Sequence, residues 1–122
     1  QSLEIKERMN DTRGLASLYH QYGNLRFNRE EYKEGLELYR KSLVIEEKLG
    51  DYQSLARTLV QIGLTQDRLQ HVNEAVQTLR KASKLLTKLN SPLVEKVNEL
   101  ITEFSARSSE DLDGVFKADD FE

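Results

Sequence analysis

The stretch KSLVIEEKLGD, residues 41–51, repeats QSLEIKERMND, residues 1–11, forty positions further along the chain. Ser2, Leu3, Ile5, Glu7 and Asp11 return as Ser42, Leu43, Ile45, Glu47 and Asp51. Aligned without gaps, residues 1–40 and 41–80 share eleven identities, among them Leu15/Leu55, Ala16/Ala56, Gln21/Gln61, Gly23/Gly63 and Arg40/Arg80. Other pairs keep their apolar character: Tyr19/Leu59, Tyr22/Ile62 and Tyr39/Leu79. A fixed period in the range of roughly 20–50 residues signals stacked supersecondary units, each unable to bury its apolar face alone.

Each unit reads as two helices. Leu15, Tyr19, Tyr22 and Phe27 follow the three-and-four spacing of one helical face, which predicts a first helix that fades near Asn28. Tyr32, Leu36, Tyr39, Leu43 and Leu49 predict the second. Gly50 suits the left-handed residue that ends a helix, and Asp51 the cap that starts the next. The repeated stretch is therefore a boundary. By the same logic residues 1–10 form a leading partial helix, with Asp11 or Thr12 capping the helix that follows. Gly23 and Gly63 fall in mid-helix, where Gly costs about 1 kcal/mol relative to Ala, so a close helix–helix approach is expected there. Ser91–Pro92 opens a last helix whose apolar face is Leu93, Val97, Leu100, Ile101 and Phe104, opposite charged residues.

This pattern resembles the tetratricopeptide repeat. The family's large residue, hydrophobe–Gly pair, aromatic and small positions are Tyr19, Tyr22–Gly23, Tyr32, Gly35, Tyr39, Ser42 and Leu43, then Leu59, Ile62–Gly63, Val72, Ala75, Leu79 and Ala82. The resemblance covers residues 1–106. The unit of forty residues, against the family's usual 34, is similar to those of kinesin light chains and of Leu-Gly-Asn-repeat arrays. Glu30 and Gln70 stand where the family usually has the Gly of the inter-helix turn. The resemblance implies an all-α, right-handed helical solenoid. It would have two full helix-pair repeats, a leading partial helix and a C-terminal capping helix. Residues 1–106 form the repeat domain and residues 107–122 an acidic tail.

Composition narrows the function. Of 122 residues, 38% are hydrophobic and 32% charged, with a single Pro. Cysteine is absent, which removes disulfides and thiolate metal sites and agrees with a cytoplasmic setting. No apolar run approaches the ~20 residues that span a bilayer. The net charge of -3 divides into a near-neutral body and a tail rich in acids, which does not suit a nucleic-acid binder. No constellation for catalysis, metal or cofactor binding is present: His20 and His71 lack companion ligands, and Glu30–Glu31 and Glu46–Glu47 read as solvated helix charges.

Binding is the function the resemblance implies, with a peptide or protein partner in a groove lined by the first helices of successive units. Those helices offer Ser17, His20, Asn24, Phe27 and Asn28, then Arg57, Val60, Leu64, Asp67 and Arg68. Val60 and Leu64 are apolar where solvent is expected, a pattern that often accompanies interaction sites. Chaperone-binding members hold a peptide carboxylate with Lys and Asn. Asn24 matches, but His20 replaces the Lys and Glu95 and Asn98 replace further basic groups, so that clamp is absent. The competing reading is a structural or self-associating segment, a homo-oligomer whose groove takes another copy or its own tail. In that tail Leu112, Val115 and Phe116 are spaced as apolar anchors among acids, and Arg80, Lys81, Lys84 and Lys88 form a basic stripe that could face them.

Overall fold

The computed structural model describes the backbone of residues 2–120 and the side chains of residues 8 and 10–108. Within these the chain is five helices: α1 Ser2–Asn28, α2 Tyr32–Leu49, α3 Tyr52–Arg68, α4 Val72–Lys88 and α5 Leu93–Asp120. Each helix packs on the next in order, α1 on α2 through α4 on α5. This is an all-α solenoid.

The turns keep a strict rhythm. Glu30, Gly50, Gln70 and Asn90 all have positive φ, at 62°, 69°, 67° and 55°. One left-handed residue every twenty positions reverses the chain, so the period of forty is two hairpin halves of equal length. Gly50 ends α2 as expected, its N–H held near the carbonyls of Glu46 and Glu47. Asp51 caps α3 by accepting from Ser54 N at 3.3 Å. Ser91 Oγ does the same for Leu93 N at 3.3 Å.

The second helices of the two units are buried alike, position for position. Gly35, Leu36, Tyr39, Ser42 and Glu46 are buried on α2, and Ala75, Val76, Leu79, Ala82 and Leu86 on α4. Both mid-helix glycines stand at contacts too close for a side chain. A Cβ on Gly23 would lie 2.7 Å from the Tyr39 ring, and one on Gly63 2.7 Å from Leu79 Cδ2. The larger core joins α3, α4 and α5 through Ala56, Val60, Leu79, Leu86, Val97 and Phe104, and a smaller one joins α2 and α3 through Leu36, Tyr39 and Ile62.

One expectation meets a different backbone. The leading partial helix is not separate: α1 runs unbroken from Ser2 past Asp11 and Gly14 to Asn28. The expected acidic tail begins at Arg107. There α5 continues, with Arg107 paired to Asp67 at 2.9 Å and Ser108 hydrogen-bonded to Asn73. The side chains of Leu112, Val115 and Phe116 lie outside the described residues.

Candidate partner-binding groove

Helices α1 and α3 are separated by a cleft of about 300 Å³, floored by the end of α2. From α1 it receives Ser17, His20 and Gln21, from α2 Glu46, and from the following turn and α3 Asp51 and Arg57. Ser17 and Arg57 are exposed, and His20 is half-buried. His20 Nδ1 is 3.2 Å from Thr58 Oγ1, and its ring meets Tyr39 edge-on with centroids 5.4 Å apart. Burial, then the nearby Arg57 guanidinium, lower the His20 pKa below its ordinary 6.5.

The other residues expected in the groove divide into three groups. Asn24 is spent on packing: its Oδ1 accepts from Tyr39 OH at 2.5 Å, and burial pushes the Tyr39 phenol up to about 12. Phe27 is half-buried, edge-on to Tyr32 at 5.2 Å, with the Arg68 guanidinium 6.0 Å from its centroid. Asn28 and Arg68 are exposed beside it, and Asp67 pairs with Arg107. Val60 and Leu64 require correction. They do not form an exposed apolar patch: Val60 is 8% exposed within the α3–α5 core, and Leu64 packs against that core. Each satisfies the three-and-four periodicity, but periodicity cannot show that α3 is covered on two sides.

Glu46 corrects another expectation. It is not a solvated helix charge but is 5% exposed, and its Oε1 is buried with no hydrogen-bond partner. Burial raises its pKa above the ordinary 4.5, Asp51 adds to the rise, and the hydroxyls of Thr58 and Ser42 with Arg57 oppose it. Ser42 Oγ itself donates to Ala16 O at 2.9 Å. The signal that could have found Glu46 was in the repeat, where its partner forty residues on is Leu86. The α4 counterpart of Glu46 is a core Leu, and the helix packing around the two is the same.

Elsewhere His71 is exposed near Glu74, at 3.7 Å, and the stripe Arg80, Lys81, Lys84 and Lys88 is exposed throughout. Among the described residues no group of three His, Asp or Glu could hold a metal ion. Among the described residues no helix is long and apolar enough to cross a membrane. No curated protein and no solved structure matches the chain. A family model described as tetratricopeptide repeat matches residues 14–88, the span from α1 to the end of α4. With two helix pairs in register and glycines at both close contacts, the chain belongs to the tetratricopeptide repeat family.

Proposed function

We propose that this chain is a non-catalytic, cytoplasmic scaffold that binds a peptide or protein segment along the face shared by α1 and α3. Repeats of this family are in general protein-interaction scaffolds. The observation that carries the reading here is the open cleft between the two helices, lined by Ser17, His20 and Arg57. That cleft is one end of the shared face; at the other end, outside the cleft, Phe27 and Arg68 form an aromatic–guanidinium pair beside the exposed Asn28. The two ends together suit an extended segment with polar and apolar side chains, and the near-neutral body favours a protein over a nucleic acid. The test is binding of a peptide selected by display on the whole chain, measured again after Arg57→Ala with Arg68→Ala. Loss of affinity on the order of tenfold or more is expected, since interface Arg residues often carry binding energy. Equal affinity would remove the groove.

A second reading, self-association, is favoured by α1. Leu15, Leu18, Tyr22 and Leu25 are 44%, 46%, 53% and 45% exposed and form one stripe along the helix. A helix of a second copy laid on that stripe would cover it as α2 covers α3. Sedimentation across a concentration series tests this. A dimer that reverts to monomer on Leu18→Asp would support it, and a monomer at every concentration would end it.

A further inference from the structure

The cleft beside Glu46 has an internal control forty residues further on. Its counterpart, lined by Gln53, Arg57, Leu86, Leu89 and Ser91, has nearly the same volume, about 320 Å³. The positions correspond: Arg13 to Gln53, Glu46 to Leu86, Leu49 to Leu89 and Asp51 to Ser91. In the second cleft the buried position holds Leu86, 2% exposed and packed in the core. In the first it holds a carboxylate equally buried and short of a partner. An apolar residue closes the same helix packing, so the fold does not require the acid. A buried carboxylate oxygen without a donor is costly, and a cost that packing does not explain points to a ligand that supplies the missing donor to Oε1.

We infer that this cleft is a subsite for an uncharged polar side chain, the carboxamide of an Asn or Gln in the bound peptide. Its NH2 donates to the Glu46 carboxylate, and its carbonyl accepts from the Arg57 guanidinium. The inference rests on the peptide-binding reading above and names one of its contacts.

Charge selects the class. Arg13 and Arg57 balance Glu46 and Asp51 around the cleft, and His20 is held toward its neutral form. With these charges balanced, a full charge of either sign gains no net attraction to offset the cost of its desolvation, a cost that a neutral dipole largely avoids. Geometry selects within the class. A carboxamide presents its donor and acceptor from one tip, as a carboxylate beside a guanidinium requires, while a backbone amide points them in opposite directions. The terminal torsion of Glu46 is soft and two-fold, so a small rotation turns its buried oxygen toward the cleft. The Ser42 hydroxyl is committed to the Ala16 carbonyl, and the Thr58 hydroxyl, 3.2 Å from His20 Nδ1, serves at most one of the two Glu46 oxygens.

The direct probes are N-acetylglutamine amide, N-acetyllysine amide and N-acetylglutamate amide at millimolar concentration, read by backbone amide NMR shifts. The glutamine probe should move the amides of Ser17, Gln21, Ser54 and Arg57. The other two should not, and Glu46→Leu should abolish the response, with Glu46→Gln as a second, near-isosteric variant that weakens it. Equal shifts from the charged probes, persistence in both variants, or no shift at the cleft would overturn the subsite. The two levels separate with a display-selected peptide. Glu46→Leu should weaken it on the order of tenfold, the cost of one unmatched polar contact. Weakening by Arg68→Ala but not by Glu46→Leu would leave the groove standing and remove the subsite. No weakening by either would remove both.

Discussion

Leu18 and Leu25 on α1 are nearly half exposed, while Thr58 and Thr65, the same positions forty residues on, are completely buried on α3. Tyr22 and Ile62 differ in the same direction, 53% against 4%. Residue polarity predicts the reverse for the two Leu/Thr pairs. What decides burial is the stack: α3 packs extensively on both α2 and α4, whereas α1 packs extensively only on α2 and touches α3 at His20. Small Thr residues suit α3 because a neighbouring helix lies close, and their hydroxyls are satisfied locally. Thr65 Oγ1 donates to the Gln61 carbonyl at 2.7 Å, and Thr58 pairs with His20. In a solenoid the same letter means different things at different places in the array.

The sharpest way to break this comparison is to place one charge at the equivalent position of each helix. Ile62→Asp buries an unpaired carboxylate between α2 and α3 and should cost several kcal/mol of a total near 5–15, enough to unfold the domain at modest temperature. Tyr22→Asp should change stability by no more than about 0.5 kcal/mol, as exposed substitutions do. Thermal melts of the two variants decide it. If Tyr22→Asp melts as early as Ile62→Asp, the α1 stripe is covered in solution and the asymmetry between the helices is false.

The glycine pair comes next. Gly23→Ala and Gly63→Ala each gain about 1 kcal/mol of helix propensity, but overpacking costs about 1–3 kcal/mol. At Gly23 the new methyl meets the flat Tyr39 ring, pinned by its bond to Asn24. At Gly63 it meets Leu79, which can change rotamer. Both should destabilise in urea melts, Gly23→Ala more. A gain in either would mean the helices separate easily and the glycines are not what brings them together.

These cases show what could be read from the residues alone. The second helices were legible because each apolar or small position of α2 repeats on α4 with the same burial, and because Gly50 and Asp51 carry turn and cap chemistry of their own. The unbroken α1 was not legible: Asp11 and Thr12 carry cap chemistry, but the helix continues through both. In the groove, Ser17, His20 and Arg57 do line one cleft. Val60 and Leu64 were misplaced because periodicity identifies a face without saying what covers it. Glu46 was misread because its residue type suggests solvent, and only comparison with Leu86 contradicts that.

Glu46→Leu tests that last difference between the units. It should stabilise the domain by about 1–3 kcal/mol at neutral pH, the cost of an unmatched buried polar group. The gain should depend on pH with a definite sign. The folded state raises the Glu46 pKa above its ordinary 4.5, so it binds the proton more tightly than the unfolded chain. Protonation therefore favours the fold. That contribution is full below about pH 4.5 and is lost as pH rises through the raised value. The advantage of Glu46→Leu over the parent should be smallest in acid and grow to a plateau above the raised pKa. A pH-independent difference in urea midpoints would mean that the carboxylate is solvated.

The smallest expected effects lie in the four left-handed turn residues, which sharpen the comparison because the turns are equivalent while their residues differ. A side chain in this conformation places its Cβ against the following carbonyl oxygen, at a cost of about 1–2 kcal/mol that Gly avoids. Gly also loses more chain entropy on folding, which returns part of that gain. Gln70→Gly and Glu30→Gly should therefore stabilise by only about 0.5–1 kcal/mol. Asn90→Gly should gain least, since Asn already tolerates this region. Gly50→Gln should lose about as much as Gln70→Gly gains, because it moves the same side chain into the same backbone twenty residues earlier. Gln70 and Glu30 are both exposed, so no lost packing obscures the result. Differential scanning of the four variants orders them. A loss of stability in Gln70→Gly would show that its side chain holds the α3–α4 turn by a contact of its own, and the two units would then differ in how they turn as well as in what they bury.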